Sequence, residues 1–140
     1  MRKFIVSIDQ GTTSSRAILF DLKGKPVFVS QLEFTQYFPK DGWVEHNPEE
    51  IWSTTQIVLK KVIQKSKSLK GKILTIGITN QRETTILWDK HTGKAVYNAI
   101  VWQDRRAVEY CNKLIKQKKE TLIYNKTGLL IDAYFSATKI

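Results

Sequence analysis

The sequence has one cysteine, Cys111, among its 140 residues, which excludes an internal disulfide and any metal site built on several cysteines. Its two histidines stand apart from any cluster of carboxylates at metal-ligand spacing, so we expect no zinc site. No apolar run reaches the length of a membrane span, and the first residues lack the apolar core and cleavage site of a signal peptide. These absences predict a soluble, cytoplasmic protein with no membrane partner.

Acidic residues are also scarce: 13 Asp and Glu oppose 23 Lys and Arg, which gives a formal net charge of +10. Such an excess by itself favours binding to nucleic acid or to an acidic surface. Much of it, however, lies in residues 60–72 and 113–119, which follow apolar-periodic stretches and are typical of solvated helix faces and ends. No aromatic residues are interleaved with these lysines as a stacking platform would need, so we expect no nucleic-acid partner.

Three strand-like segments open the chain and predict an antiparallel meander: residues 3–8, 16–21 and 26–34. Asn47, followed by Pro48 and two glutamates, predicts the start of a helix that continues at apolar spacing to about Ser66. Residues 73–79 are apolar and rich in β-branched side chains, which predicts a strand buried inside a sheet. The order β-β-β-α-β is that of a ribonuclease-H-like α/β fold.

The second half of the chain has a less regular pattern. Residues 84–89 and 95–101 predict a hairpin, residues 105–116 predict a helix, and residues 120–125 predict a second, shorter helix. No repeat, low-complexity run or linker interrupts the sequence. We therefore expect residues 1–140 to belong to one domain.

Polar residues of the run DQGTTSSR, at residues 9–16, join the first two predicted strands. Gly11 is expected to permit a tight turn with φ > 0, and the hydroxyl residues after it suit an anion-binding concavity. Asp9, at the end of a strand, would then be a ligand for Mg²⁺ or its waters, and Arg16 adds a fixed positive charge. The same residues also suit an ordinary polar hairpin turn, and they match neither a Walker A motif nor a dinucleotide fingerprint.

A second candidate site is Arg82 with Glu83, directly after the predicted strand at residues 73–79. An arginine and a glutamate together offer donors and an acceptor, which suits a small polyol whose hydroxyls must each be paired. The alternative is an ordinary ion pair between loop charges. Asp104 and the two arginines after it suit either the guarding of a cleft or the capping of a helix, and their spacing does not decide between these.

Five blocks of sequence together resemble the glycerol kinases of the FGGY carbohydrate kinase family, within the actin/hexokinase-like superfamily. The blocks lie in the family's order across nearly the whole chain. They are DQGTTSSR at residues 9–16, GWVEH at 42–46, GITNQRETT at 77–85, NAIVWQ at 98–103 and DAYFSATK at 132–139.

The resemblance implies an actin/hexokinase-like ATPase fold and the ATP-dependent, Mg²⁺-assisted phosphorylation of glycerol to sn-glycerol 3-phosphate. It assigns hydrogen bonds with the glycerol hydroxyls to Arg82, Glu83 and Tyr134, and packing against the glycerol carbons to Trp102. It assigns contacts with the nucleotide phosphates to Thr12, Thr13, Ser14 and Arg16. By the same comparison Asp9 is the metal-associated acid, which holds Mg²⁺ directly or through water.

Members of this family are several times longer and have two large domains. We therefore expect the 140 residues to form an N-terminal fragment, part of the first domain, that lacks the catalytic base and has no kinase activity alone. Such a fragment should expose an apolar sheet surface, which could support a homo-oligomer. Two other functions stay open: a nuclease of ribonuclease-H-like fold, with Asp9 in a two-metal site, and a non-catalytic interaction module.

Overall fold

Six strands and three α-helices form in the computed structural model, which describes residues 1–140. In chain order they are β1 (Arg2–Gln10), β2 (Ser14–Asp21), β3 (Pro26–Glu33), β4 (Glu45–His46), α1 (Pro48–Ser68), β5 (Gly71–Thr79), β6 (Ala99–Ile100), α2 (Val108–Lys116) and α3 (Glu120–Thr127). A short 3₁₀ helix, Ser136–Thr138, lies near the end of the chain. None of the helices combines the length and the apolar composition that a membrane span needs.

The chain divides into two compact units, each built from two segments. Unit 1 contains Met1–Thr35 and Asn47–Gln81, and unit 2 contains Gln36–His46 and Arg82–Ile140. The sequence does not predict this division, because the chain passes between the units without any stretch of linker composition.

Unit 1 is a four-stranded sheet in the order β3-β2-β1-β5, with α1 packed on it. β2 pairs antiparallel with both β1 and β3, whereas β5 pairs parallel with β1. The predicted β-β-β-α-β order and the meander are therefore confirmed. The return from β3 to a strand parallel to β1 requires a crossover, which α1 supplies.

Helix α1 begins where the sequence predicts it. The side chain of Asn47 accepts a hydrogen bond from the backbone N–H of Glu49 at 2.9 Å, and Pro48 occupies the first turn. Val58 and Val62 lie on the face of the helix that is fully buried against the sheet, together with Val6 and Leu19. The polar groups at this contact are also paired, because Ser15 Oγ and Thr54 Oγ1 lie 2.9 Å apart.

The prediction that residues 73–79 form a buried strand is wrong in one respect, because β5 is an edge strand with exposed apolar side chains. Leu74, Ile76 and Ile78 are 48%, 44% and 74% exposed. β5 has a neighbour on one side only, and α1 packs mainly on β2 and β3. The apolar, β-branched side chains predicted the strand correctly, but burial depends on which elements flank it.

Unit 2 has little regular sheet. β4 pairs antiparallel with β6, and isolated bridges join Thr85 to Ile100 and Trp88 to Ala95, so the predicted hairpin is present in irregular form. Helices α2 and α3 match the two predicted helices, whereas β4 was not predicted. A small core of Ala107, Cys111 and Ala133 lies beside α2.

Candidate functional site

The turn between β1 and β2 is closed by its own backbone. The N–H of Gly11 donates to the carbonyl of Ser14 at 3.0 Å. The expectation of a positive φ at Gly11 is wrong, because the positive-φ glycines are elsewhere in the chain. Glycine is favoured here for space instead, since a Cβ at this position would make a tight contact, 3.2 Å, with the carbonyl oxygen of Ser14.

Asp9 and Arg16 are direct partners across this hairpin, in the register of β1 and β2. Facing positions on paired strands share one side of the sheet, which places the two side chains together. Arg16 Nη1 lies 4.0 Å from Asp9 Oδ2, and both side chains are about two-fifths exposed, at 40% and 44%. Arg16 Nε also donates to Gln31 Oε1 at 3.0 Å, so its guanidinium is held over the sheet near the turn.

The three hydroxyl residues of the turn differ in their surroundings. Thr13 is exposed and Thr12 is half-buried, whereas Ser14 is buried within β2. Ser14 Oγ accepts a hydrogen bond from Gln31 Nε2 at 3.0 Å, which leaves its O–H able to donate. The turn therefore offers hydroxyl donors at several depths, with one cationic group beside them.

A single carboxylate, that of Asp9, is the metal-ligating group of this hairpin. No three His, Cys, Asp or Glu side chains come together anywhere in residues 1–140. One carboxylate is nevertheless the donor set that Mg²⁺ uses when it keeps several waters and shares substrate phosphate oxygens. The half-exposed Asp9 fits that mode of binding, and it does not fit a closed protein cage.

Glu83 does not pair with Arg82 but is bonded to the segment near the end of the chain. Its Oε2 accepts hydrogen bonds from the N–H of Ser136 at 3.0 Å and from the Oγ of Ser136 at 2.9 Å. Its backbone has φ of 63°, in the left-handed region. Arg82 is exposed and takes part in no salt bridge.

Trp102 and Tyr134, the two predicted aromatic contacts, touch each other. Their ring centroids are 5.8 Å apart, with an interplanar angle of 64°. The N–H of Tyr134 donates to Asp132 Oδ1 at 2.7 Å, and Lys139 Nζ donates to the carbonyls of both Tyr134 and Glu83. Unit 2 therefore links Glu83 to Tyr134 through Lys139, and Tyr134 to Trp102 through their rings. Arg82 joins this group only as the neighbour of Glu83 in the sequence.

The predicted site residues thus form two separate groups. Asp9, Thr12, Thr13, Ser14 and Arg16 all belong to unit 1, in one hairpin. Arg82, Glu83, Trp102 and Tyr134 all belong to unit 2.

Sequence reasoning did not find a buried charged network around Arg106. Arg106 Nη2 lies 2.7 Å from Glu45 Oε1 and 2.8 Å from Asp104 Oδ2, and the Arg106 Cζ lies 3.7 Å from the ring centroid of Trp43. Asp104 also accepts from the N–H of Val44 at 2.7 Å, which ties the turn after β6 to the segment before β4. Asp104 is therefore a buried structural anchor, and it is not the N-cap of α2, which is Ala107.

Hydrogen bonding decides the ionisation of both acids in this network. Burial raises the pKa of Glu45, but hydrogen bonds from Arg106, Asn98 and Tyr97 outweigh it, and the pKa is lowered overall. Burial likewise raises the pKa of Asp104, and the bonds from Arg106 and Val44 lower it by more. Both acids are thus held as carboxylates around one guanidinium. In the sequence, this network is indicated only by the charged residues within 42–46 and 104–106. Their positions in the sequence do not show which of them pair.

Comparison with known proteins identifies the family. The family model described as "FGGY family of carbohydrate kinases, N-terminal domain" matches residues 4–140. The chain is 62% identical over 140 residues to a glycerol kinase of a Marinomonas species, and 58% identical over 140 residues to one from Petrotoga mobilis. Each match covers 100% of this chain and 28% of the relative, so the chain spans little more than a quarter of these proteins.

Solved structures give the same result. The Plasmodium falciparum glycerol kinase with ADP is 39% identical, with a TM-score of 0.91, and the match covers 99% of this chain and 28% of that one. The Lactobacillus acidophilus gluconate kinase is 26% identical, with a TM-score of 0.90, and the match covers 99% and 27%. These kinases have the actin/hexokinase-like, ribonuclease-H-like fold that the sequence predicts. The chain belongs to the FGGY family of carbohydrate kinases.

Proposed function

We propose that this chain provides the glycerol contacts and part of the phosphate contacts of an ATP-dependent kinase that converts glycerol to sn-glycerol 3-phosphate. The observation that carries the proposal is the grouping of Glu83, Trp102 and Tyr134 in unit 2. The relatives named glycerol kinase, at 56% to 62% identity over this chain, support the choice of glycerol among carbohydrate substrates.

The chemistry of the group suits a three-carbon polyol. Glu83 Oε2 is occupied by Ser136, while Oε1 takes part in no hydrogen bond and can accept from a hydroxyl. Tyr134 and Arg82 can supply further hydrogen bonds, and the ring of Trp102 gives an apolar surface for the carbon chain. A substrate that left the hydrogen bonds of these polar groups unmade would bind less well, which would provide selectivity.

The hairpin of unit 1 has the groups needed beside nucleotide phosphates. In the proposal, Thr12, Thr13 and Ser14 donate hydroxyl hydrogen bonds to phosphate oxygens, and Arg16 contributes charge. Mg²⁺, when bound, would neutralise charge on the phosphates of ATP, and Asp9 would hold it directly or through water. The Arg16 guanidinium lies 4.0 Å from the Asp9 carboxylate and faces it across the hairpin.

A hybrid protein tests this function. In it, residues 1–140 replace the matching segment of the Petrotoga mobilis glycerol kinase, and ATP turnover is measured with glycerol, gluconate and xylulose as separate substrates. We expect turnover with glycerol and little turnover with gluconate or xylulose. Asp9→Ala should strongly reduce the turnover with glycerol. A folded hybrid that phosphorylates gluconate or xylulose in preference to glycerol, or that phosphorylates none of them, would contradict the proposal.

The nuclease alternative has no observation in its favour. It needs further carboxylates converging on Asp9, whereas the facing residue across the hairpin is Arg16. We also expect the base for the attacking hydroxyl not to be among these residues, so that residues 1–140 alone bind substrate groups without turnover.

A further inference from the structure

Glu83 has a backbone conformation that must be held in place. Its φ of 63° lies in the left-handed region, which non-glycine residues seldom adopt because their Cβ is crowded there. Such residues concentrate at sites where the surrounding structure overdetermines them. The contacts that hold Glu83 are therefore candidates for a functional role.

Ser136 fixes the carboxylate of Glu83. Two donors from this one residue, its N–H at 3.0 Å and its Oγ at 2.9 Å, both bind Oε2. Two bonds to one oxygen fix the rotation of the carboxylate and leave Oε1 as the available acceptor. An incoming hydroxyl therefore meets one oriented oxygen.

Lys139 fixes the main chain at the same residue. Its Nζ donates to the carbonyl of Glu83 at 2.8 Å and to the carbonyl of Tyr134 at 2.7 Å. Glu83 lies 56 residues from Lys139 in the sequence, so this is a tertiary link and not a local helix cap. Burial lowers the pKa of Lys139, while the charge of Glu83 opposes this effect.

We propose that Lys139 and Ser136 are positioning residues for glycerol, which set the spacing of Glu83 and Tyr134 and the direction of the Glu83 carboxylate. The inference rests on the proposed function. A lysine ammonium is suited to the task because its three N–H groups can bind two carbonyls at once. Prearranged contacts lower the cost of binding, so their loss should appear in glycerol recognition more than in ATP recognition.

The test uses the hybrid kinase with Lys139→Met, which keeps side-chain length but removes the donors. We expect the KM for glycerol to rise about tenfold or more, since small misplacements of contacts are costly, while the KM for ATP changes less than about twofold. Ser136→Ala should raise the KM for glycerol by a similar factor. Lys139→Arg, which can also donate to two carbonyls, should recover most of the glycerol affinity.

Lys126→Met, at an exposed lysine of α3, is the matched control and should change neither KM. If the Lys139→Met hybrid does not fold, the KM for glycerol of the Ser136→Ala and Lys139→Arg hybrids tests the inference instead. An active hybrid whose KM for glycerol is unchanged in the Lys139→Met or Ser136→Ala variant would overturn the inference alone. If the hybrid that carries residues 1–140 without substitutions does not phosphorylate glycerol, the proposed function is overturned, and this inference is overturned with it.

Discussion

Arg106 donates to Glu45 at 2.7 Å, and the glutamate side chain is only 2% exposed. Removing the arginine would leave the carboxylates of Glu45 and Asp104 buried without their counter-charge. We expect Arg106→Met to destabilise the chain by about 3–5 kcal/mol, the usual cost of breaking a buried pair. Urea denaturation followed by circular dichroism measures this change.

The neighbouring arginine is a matched control for that variant. Arg105 Nη1 lies 3.2 Å from Asp132 Oδ1, but the two side chains are 53% and 44% exposed. Surface pairs contribute about 0–1 kcal/mol, so Arg105→Met should leave stability nearly unchanged. Equal effects of the two substitutions would contradict the account of the network.

The same network predicts acid sensitivity. The pKa values of Glu45 and Asp104 are lowered in the folded chain, so the unfolded chain takes up protons first as the pH falls. Their stabilisation is complete above the ordinary values of 4.5 and 3.8 and is lost as the pH falls through the lower folded values. The free energy of unfolding, measured at a series of pH values, should therefore decline in this acid range.

An Asp104→Asn variant provides the comparison for the acid series. This variant has one fewer carboxylate to titrate, so its free energy of unfolding should fall less steeply with acid than that of the unaltered chain. Parallel curves for the two proteins would show that Asp104 does not contribute to the acid sensitivity.

Alanine substitutions at two glycines of β5 should have opposite effects on stability. A Cβ at Gly71 would collide with the buried ring of Phe4, whereas a Cβ at Gly77 meets nothing within 4 Å. Gly71→Ala should therefore cost about 1–3 kcal/mol through overpacking. Gly77→Ala should be neutral or slightly stabilising, because alanine restricts the unfolded chain. Thermal melts of both variants check the prediction, and an undiminished melting temperature in Gly71→Ala would refute it.

Local signals explain which parts of the fold were predictable. The start of α1 follows from Asn47 and Pro48, since capping uses neighbouring residues only. The exposure of Ile78 was not predictable, because it depends on the position of β5 at the edge of the sheet.

The same distinction applies to the site. The sequence predicted the type and order of the site residues. It did not predict their contacts, because Ser136 and Glu83 are 53 positions apart, and Glu45 and Arg106 are 61 apart. The left-handed backbone of Glu83 also had no sequence signal, because the residue is neither glycine nor asparagine.

The exposed edge of the sheet predicts self-association of the isolated chain. β5 presents unpaired backbone groups beside Leu74, Ile76 and Ile78, and such edges pair with other chains. We expect sedimentation velocity to show oligomers that increase with concentration. Ile78→Lys should reduce them, because a charge on an edge strand opposes pairing. A chain that stays monomeric at high concentration would contradict this prediction.

Glu83 makes the proposed carboxylate contact with glycerol, and the kcat/KM for glycerol of the hybrid kinase carrying Glu83→Gln tests that contact. The loss of a hydrogen bond to a charged group predicts a fall of about ten- to a hundredfold. Glu109→Gln, at an exposed position of α2, is the control and should have no effect. An unchanged kcat/KM in the Glu83→Gln hybrid would contradict the account.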